Sequence, residues 1–223
     1  MSADLFTLLV REPEALVDRA EADLGRYAPP LLMLLVGATL GFGFTVGAHH
    51  SLLQGTYASL KMPLVFLAPP LLAAPGAAAV ARALGLGLSP SRAAAAGLVA
   101  MARIALFAIA FAPILWLAAR VVHSYRFTAL GTTLVLVVAG LGGLRVLFRA
   151  PRDGIRADVW ARLGALAAAA LLYGAVTAQT GWLLRPFILR PDYVAGLFQA
   201  PESDVFTEIG KRLDGRVDRP RSE

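Results

Sequence analysis

Three histidines are the side chains of this sequence best suited to binding a metal or assisting a nucleophile. They are His49, His50 and His123, and the 223-residue chain contains no cysteine. Three imidazoles and a carboxylate such as Asp192 form a ligand set for zinc or copper. Neighbouring histidines rarely bind one ion together, however, and no catalytic motif accompanies them. We therefore predict a protein that is not an enzyme, with no catalytic residue and no cofactor, and with the histidines as weak metal candidates only.

Arg103 is the charged residue in the most apolar surroundings, GLVAMARIALFAIAF. An arginine near the middle of a spanning helix costs about 2.5–3.5 kcal/mol on insertion scales, so it should face a bundle interior and find partners there. Because no apolar run contains a carboxylate, the candidate partners are Thr177, Gln179, Thr180 and carbonyl groups freed by prolines. Arg103 then either stabilises the bundle or binds an anionic ligand or a partner's carboxylate.

The second apolar run, MPLVFLAPPLLAAPGAAAVA, carries Pro69, Pro70 and Pro75 in its interior. Each proline removes a backbone hydrogen bond and clashes with the preceding turn, so a helix break is predicted there. The break is either a kink whose backbone groups are satisfied by neighbouring helices or a site where free backbone groups bind an ion or substrate.

The last apolar run ends in a polar motif, QTGWLLRPFI, which contains Gln179, Trp182 and Arg185. Tryptophan and arginine are typical of the membrane interface, and Pro186 stops the helix. Together with Arg103, these residues are the candidate contacts for a ligand or a partner.

Composition indicates the surroundings in which these residues act. Hydrophobic residues make up 57% of the chain and charged residues 16%, against about 25% charged in soluble domains. The net charge is +6, but the basic residues interrupt apolar runs instead of forming a polar face, which excludes a nucleic-acid partner. The abundance of arginine, alanine and glycine is typical of a GC-rich bacterial genome.

We predict an all-α polytopic bundle of about five transmembrane helices. Each of five apolar runs approaches the roughly 20 residues that a spanning helix needs. The runs cover residues 30–48, 62–82, 93–118, 127–148 and 162–184. We therefore divide the chain into an amphipathic N-terminal helix over 1–28, a transmembrane domain over 29–184 and a polar C-terminal tail over 185–223.

The polar segments outside the spans also have predicted structures. Leu16, Ala20 and Leu24 form an apolar stripe among charged residues, so this amphipathic helix lies on the membrane, lies on the bundle or docks a partner. Segment 49–61 is predicted as a connector, either without regular structure or as a short interfacial helix. A short helix capped by Ser203 is predicted in the tail, whose end is predicted to be disordered.

Orientation follows from the basic residues near the span ends, which are more numerous on the side of the N-terminus. We predict a bacterial inner-membrane protein with a cytoplasmic N-terminus. In the first span, Gly37/Gly41 and Gly43/Gly47 form two small-xxx-small pairs. Such glycines let two helices approach closely, either within the chain or between two copies.

Three stretches carry a family resemblance. The exit segment QTGWLLRPFILRP resembles the Q-x-x-W-x-L-R-P-F-x-x-x-P pattern of an uncharacterised bacterial polytopic membrane family. The stretch that begins LKMPLVFLAPPLL and the glycine-rich VAGLGGLRVLF resemble the second and fourth spans of that family. The similarity covers about residues 10–210. The members of this family are in turn remotely similar to the Yip-type five-span membrane proteins. This resemblance implies a five-span topology, a cytoplasmic N-terminus and an adaptor function.

Two functions follow as hypotheses. The first is a non-enzymatic inner-membrane adaptor, scaffold or accessory subunit that binds a membrane-protein partner or a second copy. The alternative is a transporter or channel subunit that handles an anion or a lipid near Arg103 and the proline-broken second span.

Overall fold

The computed structural model describes residues 3–122, 124–150 and 159–184 of the chain. Within these residues the protein is all-α, as predicted, with eight helices and no strand. The helices are α1 (Ala3–Arg11), α2 (Pro13–Ala22), α3 (Leu24–Gly47), α4 (Leu52–Leu72), α5 (Ala74–Ala83), α6 (Pro90–Val122), α7 (Tyr125–Arg149) and α8 (Val159–Leu183). The predicted tail helix at Ser203 lies outside the described residues, as do Arg185, Asp192 and His123.

Five stretches are long and apolar enough to cross a membrane, so the chain is a multi-pass membrane protein. The stretches are Leu24–Gly47, Leu52–Ala83, Pro90–Val122, Arg126–Arg149 and Val159–Leu183. Each begins before one predicted apolar run and ends within four residues of that run's end. The predicted connector over 49–61 is wrong from Leu52 onwards, because α4 begins there and continues into the second span instead of forming a separate short helix. Ser51 starts this helix by accepting a hydrogen bond from the Gln54 amide at 3.1 Å.

The N-terminal segment forms two short helices and the first turn of α3 where one amphipathic helix is predicted. Pro13 has no N–H and begins α2, so α1 ends at Arg11. Asp23 interrupts the chain again and caps α3 by accepting the Arg26 amide at 3.0 Å. The apolar stripe of α2, which includes Leu16, Val17 and Ala20, is buried against the bundle.

Helices α3, α4 and α6 form the tightly packed centre of the bundle. A Cβ atom on Gly43 would lie 2.7 Å from the Ala58 carbonyl oxygen, and one on Gly47 would lie 2.6 Å from the Gln54 carbonyl oxygen. Only a residue without a side chain fits at that separation. The Gly43/Gly47 pair therefore packs against α4 of the same chain, whereas Gly37 has open space beside it.

The second span is broken, as its prolines predict. α4 ends at Leu72 and α5 begins at Ala74, with Ala73 as the turn between them. Pro69 and Pro70 lie buried in the last turns of α4, and Pro75 lies in the first turn of α5, where a missing N–H is tolerated. The Ala73 amide still donates to the Pro69 carbonyl at 2.8 Å, so the helical hydrogen-bond pattern continues through the turn.

Helices α7 and α8 form the outer layer. Over the most apolar part of each span, 56% of the residues of α6 are buried inside the protein, against 22% for α7 and 6% for α8. Helix α8 therefore packs on the bundle along one side and keeps an exposed face on the other.

Candidate functional site

Charged side chains meet at one end of the bundle, where α3 and α6 begin and α7 ends. We call this region the arginine end; its members are Arg92, Arg103, Arg145 and Arg149 with the carboxylates of Glu14, Asp18 and Glu21. Its most buried member is Arg92, which is 6% exposed and lies in the first turn of α6. Its Nη1 atom donates to the carboxylates of Asp18 and Glu21 on α2, both at 2.7 Å. Its Nε atom donates to the carbonyl oxygen of Ala150 after α7. One guanidinium thus joins three segments of the chain.

Ser89 completes this junction at the beginning of α6. Its hydroxyl accepts the Arg92 amide at 3.1 Å, which satisfies a donor that the helix leaves free. The same hydroxyl donates to the Glu21 carboxylate at 2.9 Å. Ser89 thus holds one of the carboxylates that bind Arg92, and both residues fix α2 to the beginning of α6.

Glu14 of α2 forms a second junction with α7. Its Oε1 atom lies 3.1 Å from Arg149 Nη1 and 3.6 Å from Arg145 Nε. Both arginine side chains are more than half exposed, so each pair contributes at most about 1 kcal/mol. Two cations share one carboxylate here, which leaves a local positive charge.

Arg103 lies on α6, further from the end of the bundle than Arg92, and contacts the N-terminal helix α1. Its Nη1 atom donates to the carbonyl oxygen of Leu9 at 3.4 Å. Leu9 is in the last turn of α1, where carbonyl groups have no partner within the helix and carry partial negative charge. The guanidinium carbon also lies 5.4 Å from the centre of the Phe107 ring, a cation–π contact. Arg103 therefore acts as a C-terminal cap for α1.

The partners predicted for Arg103 in the fifth span are not the ones that the structure shows. Thr177 donates instead to the Tyr173 carbonyl at 2.7 Å, within α8. The Oε1 atom of Gln179 is buried and accepts no hydrogen bond from the described residues, and the Nε atom of Arg103 is likewise buried without an acceptor there. The prediction missed Leu9 because α1 lies too far away in sequence for spacing to reveal the contact.

The proline break lies on another side of α6 from Arg103. Pro70 and the Tyr173 hydroxyl both pack against Gly97, where a Cβ atom would collide with them. A cavity of about 30 Å³ lies beside Tyr173, between α5, α6, α7 and α8. That volume is enough for about one water molecule. The structure therefore does not bring Arg103 and the broken span together at one site.

The opposite end of the bundle holds the remaining candidates. His49 and His50 are half-buried in the turn after α3, and His50 Nδ1 lies 3.4 Å from the Ser51 hydroxyl. Trp182 is half-buried in the last turn of α8. Lys61, which directly precedes the second predicted apolar run, is 3% exposed within α4.

Metal binding has no support among the described residues, which contain no group of three His, Cys, Asp or Glu side chains placed to hold an ion. His123 and Arg185, the other predicted site residues, lie outside that part of the chain. Among the residues that the structure describes, Arg92 and Lys61 are buried charges that are not among the predicted site residues. The sequence does contain one indication for Arg92. It lies three residues after Ser89, a spacing typical of the capped beginning of a helix.

Comparison with family models, curated proteins and solved structures gives no match for this chain. The resemblance to a bacterial polytopic family and to Yip-type proteins therefore stays a prediction.

Proposed function

We propose that this chain is a non-enzymatic adaptor or accessory subunit that binds another membrane protein through α8, in a bacterial inner membrane and with a cytoplasmic N-terminus. The observation that carries the proposal is the outer face of α8. This face is exposed along the whole helix, and it is lined at helical spacing by Leu163, Gly164, Ala167, Leu171, Gly174, Ala175 and Ala178.

Small residues on that face favour a protein partner over lipid alone. Helices associate in a bilayer by close van der Waals contact, and glycine and alanine allow the two backbones to approach. Gly174 and Ala178 are four residues apart, and a Cβ atom on Gly174 would meet nothing within 4 Å. A helix from another protein could therefore pack on α8 with no rearrangement of this chain.

The charged residues of the arginine end support the same proposal indirectly. Arg92 and Arg103 are each engaged with other parts of the same chain. Since the apolar stripe of α2 is buried against the bundle, we assign partner binding to α8, whose small residues are exposed. The transporter alternative loses support because Arg103 and the proline break occupy different sides of α6.

The test is purification from native membranes in a mild detergent, followed by native electrophoresis and mass spectrometry. We expect a complex with a different membrane protein at fixed stoichiometry. Gly174→Leu should dissociate it, because the added side chain prevents close packing. Gly37→Leu is the matched control, since Gly37 also has open space but lies on α3. A chain that migrates alone, or a complex equally sensitive to both substitutions, would overturn the proposal.

A further inference from the structure

An open groove runs along the outer layer at the arginine end, between α7 and α8. Its volume is about 560 Å³, and it is lined by Leu141, Leu144, Arg145, Phe148, Arg149 and Leu166. Four of these six side chains are apolar, and the two that are not are exposed cations. The groove is separate from the small-residue face of α8.

The two arginines lie at one end of this groove and the leucines continue away from it. Arg149 is the last residue of α7, and Leu141 lies two turns before it, which is about 12 Å at the helical rise of 1.5 Å per residue. Leu166 lies two turns into α8 from its start. The groove therefore runs from the end of the two spans into the depth at which acyl chains begin.

An exposed tryptophan at the same end of the spans indicates that Arg145 and Arg149 lie at the depth of the lipid headgroups. Trp160, in the first turn of α8, is 77% exposed, and exposed tryptophan at a span end is typical of the membrane interface. Among the described residues, Arg145 and Arg149 share one carboxylate, that of Glu14, and Arg103 adds a third positive charge that interacts with Arg145. Counted over those residues, the mouth of the groove has a net positive charge beside an apolar floor.

We infer that the α7–α8 groove is a binding site for one anionic phospholipid. The phosphate would pair with Arg145 and Arg149, and an acyl chain would lie along Leu141, Leu144 and Phe148. A zwitterionic lipid offers the same chains but carries a cation next to the phosphate, so the arginines should discriminate against it. This inference does not depend on the proposed function, since it uses a different surface.

The experiment is native mass spectrometry of the delipidated full chain, titrated with dioleoyl phosphatidylglycerol or dioleoyl phosphatidylcholine. We expect one molecule of phosphatidylglycerol to bind in preference to phosphatidylcholine. Because each basic residue near a membrane surface contributes about 1 kcal/mol towards anionic lipid, Arg145→Gln with Arg149→Gln should weaken phosphatidylglycerol binding by at least about tenfold. Arg120→Gln with Arg126→Gln, two exposed arginines at the opposite end, is the matched control and should leave binding unchanged.

Glu14→Gln separates lipid binding from a purely structural role of the arginines. It removes the same ion pairs as the arginine substitutions but frees both cations, so phosphatidylglycerol should bind equally well or more tightly. If Glu14→Gln lost as much lipid as the double arginine variant, the arginines would act by docking α2 and the inference would be wrong.

Leu141→Trp covers the case in which the double arginine variant fails to fold. This side chain is 64% exposed, so the substitution fills the groove from outside and leaves both arginines in place. It should also reduce phosphatidylglycerol binding. Unchanged binding in this variant, or complete displacement of the lipid by inorganic phosphate, would show that no acyl chain occupies the groove and would overturn the inference.

Discussion

The third and fifth spans have nearly the same composition but opposite surroundings. α6 and α8 are both rich in alanine, yet 56% of the apolar window of α6 is buried against 6% for α8. Lipid chains are as apolar as leucine, so burial in a membrane gains little from the hydrophobic effect. The difference between the two helices is therefore one of close packing, and it shows which helix supports the fold and which keeps an exposed face.

Leucine-to-alanine substitutions at a buried and an exposed position should give the largest contrast. Leu35 in α3 is fully buried, whereas Leu171 in α8 is 74% exposed. Leu35→Ala leaves a cavity in the packed centre and should reduce the free energy of unfolding by about 2–5 kcal/mol. Leu171→Ala should change it by less than about 0.5 kcal/mol. Denaturant unfolding in detergent measures both, and equal losses would contradict the division into a centre and an outer layer.

Neutralising Arg92 should give the next largest effect. Arg92→Gln leaves Glu21, whose side chain is 16% exposed, without its cation. Removing one member of a buried ion pair costs about 3–5 kcal/mol, and the exposure of Asp18 lowers our expectation to about 2–3 kcal/mol. Thermal unfolding, with the exposed Arg26→Gln as control, tests this value. If both variants unfold at the same temperature, the α2 junction does not stabilise the bundle.

Replacing a glycine by alanine at the closest helix contact should lower the free energy of unfolding by about 1–3 kcal/mol. In Gly47→Ala, the added methyl group would lie 2.6 Å from the Gln54 carbonyl oxygen, so α3 and α4 must separate. Gly37→Ala adds the same group to the same helix in open space and should be neutral or slightly stabilising. Denaturant unfolding in detergent measures both variants. A Gly37→Ala variant that is destabilised as much as Gly47→Ala would contradict the claim that Gly47 packs closely against α4 and Gly37 does not.

The smallest expected change in global stability is at Arg103. Arg103→Leu removes the hydrogen bond to Leu9 but also a charge that is costly to insert, so we expect a net change of about 1 kcal/mol or less. The local effect should be larger, because α1 loses its C-terminal cap. Hydrogen exchange should therefore accelerate in α1 and not in α6. Arg120→Leu, at the other end of α6, is the control, and unchanged exchange in α1 would refute the capping role.

The fold could be predicted from the sequence further than the site could. Apolar runs of spanning length identify all five membrane helices, and Pro69, Pro70 and Pro75 identify the break in the second. These features are local, since they depend on length and on the missing proline donor. The division between α6 and α8 was not predicted, because both are apolar enough to span a membrane and burial depends on which helices pack together.

The partners of the charged residues could not be predicted for a related reason. Arg92 binds residues more than 70 positions away, and Arg103 donates to Leu9, 94 positions away. Those contacts arise because α1 and α2 fold back across the arginine end. A backbone carbonyl leaves no trace in the sequence, so Leu9 could not be distinguished from any other acceptor.

Photo-crosslinking in native membranes tests the proposed function most directly. A benzophenone side chain at Leu171 faces outwards from α8, and one at Met33, 76% exposed, faces outwards from α3. The proposed function predicts a single adduct of fixed mass with a different protein from Leu171, and only lipid adducts from Met33. Lipid adducts alone at Leu171, an adduct of two copies of this chain, or the same protein adduct from both positions would contradict it.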